Sequence, residues 1–305
     1  MNKFTLTLIG VLGVFTVFAQ QDAKYSQFIF NKLSFNPAYA GSKEALTLAS
    51  IYRYQWEGIN DAPRTLNVQA HTPFANNRNG LGLSLTTDKI GLTQNSMVDF
   101  SYAYRILFRN QSTLSLGVSL SYQFLDFRAS QVQIIDAGDN FIPESNSRSN
   151  LNFGFGAYFS SPKYYIGFSV PQLLNGPLYT SDLFDLGNFA RFRTYYLMGG
   201  VAIPLRDNIL FKPAILLSYI PNAPFEMDLN ASFLLMEALW VGGSYRLGDS
   251  MDAVVQYQFT KQFKAGVALD FTVSELQKYT AGSVELMIEY IFSFEKDGVH
   301  NIRFF

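Results

Sequence analysis

The chain has 305 residues and a formal net charge of -1, with charged residues at 15% and aromatics at 16%. That balance offers no electrostatic footprint for a polyanion, which excludes a nucleic-acid binder. The absence of cysteine excludes disulfides, thiolate metal sites and cysteine nucleophiles together, so stability rests on packing and hydrogen bonds.

At the start, Met1-Asn2-Lys3, the uncharged run from Phe4 to Phe18 and the closing Val17-Phe18-Ala19 have the layout of a secretory signal cut after Ala19. The run is short for a helical bilayer span of about 20 residues, polar Gln20-Gln21-Asp22 follows, and no cysteine is present to be lipidated. The expectation is an exported chain with a pre-barrel segment over 20–43. Within it, "SFNPAYAGS" (34–42) reads as a turn: Asn36-Pro37 biases the backbone away from helix, and Gly41 permits angles other residues avoid.

From there on the pattern is alternation. Leu114, Leu116, Val118, Leu120 and Tyr122 interleave with Ser115, Gly117, Ser119, Ser121 and Gln123, which places the apolar groups on one face of a strand. The same period of two recurs at Leu151 to Phe159, Ala253 to Phe259, Phe263 to Phe271 and Val284 to Phe292. Strands are predicted over 44–56, 65–73, 80–87, 95–105, 113–124, 150–160, 163–170, 193–203, 209–219, 226–235, 238–246, 252–259, 263–271 and 283–293. That makes about fourteen, each long enough to cross a bilayer when tilted. The predicted fold class is all-β: a transmembrane antiparallel barrel over 44–293, with 294–305 left as a tail.

Connection lengths support it, since outer-membrane barrels join strands by short periplasmic turns and longer outer loops. The longest connections, 125–149, 171–192 and 272–282, all follow odd-numbered strands. Aromatics cluster at strand ends (Tyr52, Tyr54 and Trp56; Tyr102 and Tyr104; Tyr195 and Tyr196; Trp240; Tyr257 and Phe259; Tyr290 and Phe292), as in the interfacial girdles of a membrane protein. A soluble sandwich would bury the same rings, but so many alternating strands with so little charge suit lipid better.

Chemistry is sparse. The two histidines, His71 and His300, have no spacing that suggests a catalytic pair or a metal site. Asp136, Asp139, Asn140 and Glu144 lack the alternate-position pattern of a calcium loop. Gly80-Leu81-Gly82 lies in a strand pattern, where glycine eases bending. Asp252, Gln256, Gln258 and Glu289 fall on the inward parity and predict a wet or plugged lumen. No catalytic residue, cofactor or metal site is predicted.

Several pieces combine: "YSQFIFNKLSFNPAYAGS" after the leader, "YRYQW" with "DAP" shortly after, "TTDKIGL", and "RFF" at the end. In order and spacing the mature chain resembles the PorP/SprF family of outer-membrane proteins linked to the type IX secretion system and gliding motility in Bacteroidetes. The positions that carry the resemblance are Tyr25, Gln27, Phe28, Asn36, Pro37, Ala38, Tyr39, Ala40, Gly41, Gln55, Trp56, Pro63, Asp88 and Gly91. Phe28, Phe30, Phe35 and Tyr39 are available to pack on the barrel mouth or within its lumen.

The resemblance implies a non-enzymatic protein of the outer membrane, in contact with its lipid. It would assist secretion or surface attachment of cargo proteins carrying type IX sorting domains, such as adhesins, and associate with components of the machine's periplasmic ring. The outer loops, chiefly 125–149 and 171–192, carry Phe127, Phe141, Tyr179, Phe184 and Phe189 among charges and are the candidate partner-binding surface. The alternatives are a passive channel or small-molecule transporter, which a polar lumen allows, and a soluble secreted adhesin.

Overall fold

The computed structural model describes residues 25–43, 45–128, 146–177, 190–191, 193–221 and 223–292. Fourteen antiparallel strands form a closed barrel: β1 (Leu46–Tyr54), β2 (Arg64–Phe74), β3 (Asn79–Ile90), β4 (Thr93–Leu107), β5 (Thr113–Phe127), β6 (Asn146–Ser160), β7 (Tyr164–Val170), β8 (Tyr195–Val201, resuming at Ile203–Arg206), β9 (Ile209–Tyr219), β10 (Glu226–Leu235), β11 (Leu239–Arg246), β12 (Ser250–Gln258), β13 (Phe263–Thr272) and β14 (Ser283–Phe292). Each strand pairs with its sequence neighbours. β1 closes the ring on β14, from Leu46 opposite Phe292 to Tyr54 opposite Val284. Closure removes the exposed edges that a long sheet otherwise presents.

Period-two patterning decides which face meets what. On β5, Leu116, Val118, Leu120 and Tyr122 lie exposed on the outside, while Ser115, Ser121 and Gln123 are buried inside. The same division holds on β14, where Leu286, Ile288 and Tyr290 point out and Glu285, Met287 and Glu289 point in. Among the described residues no helix is long and apolar enough to cross a membrane. Crossing falls to strands, whose backbone groups satisfy one another around a closed ring.

Two sequence expectations change in detail. The strand predicted over 193–203 is interrupted at Ala202, whose N–H still bonds in register to the Lys163 carbonyl on the β7 side at 2.7 Å while pairing with β9 lapses. Register with β9 runs to Gly200 opposite Ala214 and resumes at Ile203 opposite Phe211. The gap faces Pro213, which has no N–H to lend to a ladder. Of the predicted girdle, Tyr52, Tyr102, Tyr104, Tyr257, Phe259 and Tyr290 are exposed on the outer face. Trp240 and Tyr196 instead turn inward, to Phe30 and Phe35, at 5.3 Å between ring centroids in each case. Both share inward parity with neighbours such as Arg246 and Met198, and parity outranks a general preference of aromatics for interfaces. The leader, the tail, Phe141, Tyr179, Phe184, Phe189 and His300 lie outside the described residues.

One end of the barrel carries only short turns, as at 75–78 and 207–208, and the long connections all lie at the other. In outer-membrane barrels the end that carries short turns is the periplasmic one.

Candidate functional site

The lumen is occupied by the chain's own N-terminal segment. Residues 25–43 start beside the long-loop ends of β1 and β14 and finish against the β2–β3 turn, next to where β1 begins. On the way they pass through two short 3-10 turns, Lys32–Ser34 and Pro37–Tyr39. Tyr25, Phe28, Leu33, Phe35, Ala38, Tyr39 and Ala40 are all buried there and form the main apolar cluster with inward residues of the wall such as Met198, Leu216 and Met287.

The upper part of this plug is held by charge. Both Glu285 carboxylate oxygens accept backbone N–H groups, from Ser26 and Gln27, at 3.0 Å each. Arg53 then ties the wall to the plug, donating to the Ser26 hydroxyl at 2.7 Å, to Glu285 at 3.2 Å and to Asp270 at 2.5 Å. The Gln27 side-chain oxygen accepts from Gln256 at 2.6 Å. Such bonds to ionised groups are about twice as strong as neutral ones, and here they are shielded from water.

A cationic layer lies lower. Glu289 receives both Lys43 and Lys264, the latter at 3.1 Å. Lys264 also sits 4.8 Å from the Phe30 ring centroid, Lys32 sits 4.5 Å from that of Tyr165, and Lys212 sits 4.3 Å from that of Trp240. Cations over aromatic faces recover part of their lost hydration. Burial, with the nearby charges of Lys43 and Lys264, pulls the Lys32 ammonium down to about 7, and burial pushes the Tyr39 phenol up.

The lower part is held by shape, and it is the "NPAYAG" stretch, which in sequence reads as an ordinary turn. Asn36 caps the turn by accepting the Ala38 N–H at 2.9 Å. Its amide donates to the carbonyls of Ala157 at 3.0 Å and Phe168 at 3.3 Å, residues that face each other across β6 and β7. The backbone then runs so close to the wall that only glycine fits beneath it. A Cβ on Gly117 would lie 2.3 Å from the Ala38 nitrogen, and one on Gly156 would lie 2.0 Å from Asn36 Oδ1. Gly41, at φ +73°, turns the chain out toward β1 and donates its N–H to His71 Nδ1 at 3.3 Å. His71 is thus a buried acceptor for the plug. Gly80 lies directly under the Ala40 carbonyl, so clearance, not the sheet bending expected from sequence, accounts for its lack of a side chain.

The remaining positions of the sequence motif gather at the long-loop rim. Gln55 donates its backbone N–H to Pro63 at 3.0 Å, and the Trp56 N–H reaches the Ser283 hydroxyl at 3.3 Å. Asp88 accepts from Thr65 at 2.6 Å, and Gly91, in the tight β3–β4 turn, donates to Asp61 at 3.0 Å. Phe127 ends β5 at the same rim. Of the inward polar residues expected from sequence, Asp252, Gln256 and Glu289 are buried in the lumen, and Gln258 bonds to Thr260 at its edge. Arg53, Glu285, Lys43 and Lys264 escaped notice as a site. For Arg53, Glu285 and Lys264 the signal was a charge on the inward parity of a strand, which names a wall but not its partner; Lys43 lies ahead of β1 and carries no such signal.

A family model described as "Type IX secretion system membrane protein PorP/SprF" matches residues 17–290. The chain belongs to the PorP/SprF family. No curated protein sequence matches it significantly. Among solved structures, the CymD monoaromatic hydrocarbon channel aligns at 11% identity with a TM-score of 0.50, over 89% of this chain and 93% of CymD. Omp33 of Acinetobacter baumannii aligns at 10% identity with a TM-score of 0.49, over 82% of this chain and 98% of Omp33. At such identities the likeness to CymD speaks for the fold alone, an outer-membrane barrel. This PorP/SprF chain is therefore a type IX secretion system protein of the outer membrane. Among its described residues no group of three or more His, Cys, Asp or Glu is arranged to hold a metal ion.

Proposed function

We propose that this protein is a non-enzymatic accessory component of the type IX system, assisting secretion or surface attachment of sorting-domain cargo such as adhesins. It would serve gliding motility through that cargo. The observation that carries the reading is the seated plug. Its residues contact strands on every side of the lumen, and both of its halves are pinned. A barrel so filled offers partners its two ends and not a passage, which supports the accessory role over that of a passive channel.

The outer end carries the long connections, with Phe127 at the end of β5 and Phe141, Tyr179, Phe184 and Phe189 in the loop sequences that follow β5 and β7. Aromatic side chains among charges suit protein recognition. The periplasmic end would meet components of the machine's ring. Deleting residues 172–191 while the barrel still assembles is expected to reduce surface display of the cargo, as read in the surface and medium proteomes. Normal display would sink the loop assignment, and steady ion conductance by the wild-type barrel in planar bilayers would move the reading to a channel.

A further inference from the structure

The lipid-facing wall outside the plug's seat contains a trough of about 560 Å³, although the outside of a barrel is convex. Strand register explains its shape. One bank is the cross-strand row Leu83, Phe100 and Leu120, and the other is the next outward row, Leu81, Tyr102 and Val118. Between them runs the inward-pointing row Gly82, Ser101 and Ser119, which presents only backbone to the outside and so forms a floor. At the β2 side the first bank drops to a methyl group at Ala70, opposite Leu83, which widens the trough there.

The floor is thin because the plug presses on its inner side. A Cβ on Gly82 would lie 3.1 Å from Leu33 of the plug. The lining is almost wholly apolar and its volume falls in the range of roughly 300–1,000 Å³ typical of small-molecule sites. The trough is continuous with the apolar belt that this outer-membrane barrel presents to lipid. It lies nearer the short-turn end, where the Tyr102 hydroxyl donates to Asn79 beside the β2–β3 turn at 2.7 Å. A tyrosine with its polar tip so placed marks headgroup level, and short turns mark the periplasmic leaflet.

We propose that the trough is a binding site for one acyl chain of a phospholipid from the periplasmic leaflet, held more firmly than the lipids around it. The chain would pack across the floor from Leu33, so that lipid and plug support the same layer of sheet from its two sides. This inference rests on the barrel's place in the outer membrane and is independent of the cargo reading.

The test is native mass spectrometry of the detergent-solubilised full-length protein with added palmitoyl-oleoyl phosphatidylethanolamine. Ala70→Trp fills the trough, Ala70→Leu fills part of it, and Val255→Trp adds the same ring to the outer face of β12, away from the trough. Heat-modifiable gel mobility confirms that each variant is folded. The parent and Val255→Trp are expected to retain a single phospholipid. Ala70→Trp should retain it about tenfold less, and Ala70→Leu should fall between. Equal retention by Ala70→Trp and the parent, or equal loss in Val255→Trp, would overturn the site. Preferential retention of a lipopolysaccharide-type glycolipid, or a dimer that Ala70→Trp breaks, would overturn the choice of occupant.

Discussion

The two halves of the plug are held by different physics. Around Ser26 and Gln27 the contacts are charge-assisted hydrogen bonds to Glu285 and Arg53. Around Asn36 to Gly41 they are backbone lying on glycine, with one amide side chain bridging two strands. A charged contact loses strength by degrees when a partner is trimmed. A contact made of excluded volume has no graded response, because any side chain at the glycine displaces the whole turn. The upper half therefore resembles a clasp and the lower half a seat, and the difference can be tested from both sides.

The largest effect is expected at the seat. Gly117→Val places side-chain atoms where the Ala38 backbone runs, costing about 3 kcal/mol or more. The plug should leave the lumen, read as new conductance in planar bilayers and as protease cleavage within residues 25–43. A silent, protected variant would mean that the seat yields. At the clasp, Glu285→Ala leaves Arg53 with Asp270 and strands two buried N–H groups, a loss of roughly 3 kcal/mol. Protease sensitivity is then expected to start at the Tyr25 end while the Asn36 end stays protected. Simultaneous exposure of both ends would show that the halves move as one body.

Asn36→Ala should cost about 2 kcal/mol, combining a lost cap with the loss of two side-chain bonds to wall carbonyls, and appear as faster amide exchange at Ala38. The smallest effect concerns pH. Lys32 is held at about 7 in the docked plug, against a usual lysine value of 10.5. Between these values the undocked segment binds more protons than the docked one, so docking strengthens as pH rises from about 7 to 10.5. Plug protection measured across that window should increase in the parent, and Lys32→Met should flatten the profile.

Much of the molecule was legible from the chain alone. Strand number, the even count, closure and the in–out division follow from period two, because a strand that separates lipid from a packed interior must alternate. The same rule put Asp252, Gln256 and Glu289 inside. It would also have put Trp240 and Tyr196 inside had parity been weighed above the general place of aromatics in membrane girdles. Asn36-Pro37 and Gly41 announced a turn because proline and glycine act on local backbone geometry.

What remained hidden was every contact made across the lumen. That Glu285 would meet the N–H of Gln27, 258 positions away, or that Gly117 and Gly156 would lie beneath Ala38 and Asn36, has no local signature. A glycine needed for clearance reads in sequence like one that eases a bend. Periodicity tells each residue which face it occupies, since that depends only on near neighbours. The occupant of that face is chosen when the ring closes and the segment ahead of β1 folds back inside it, which only the tertiary structure decides.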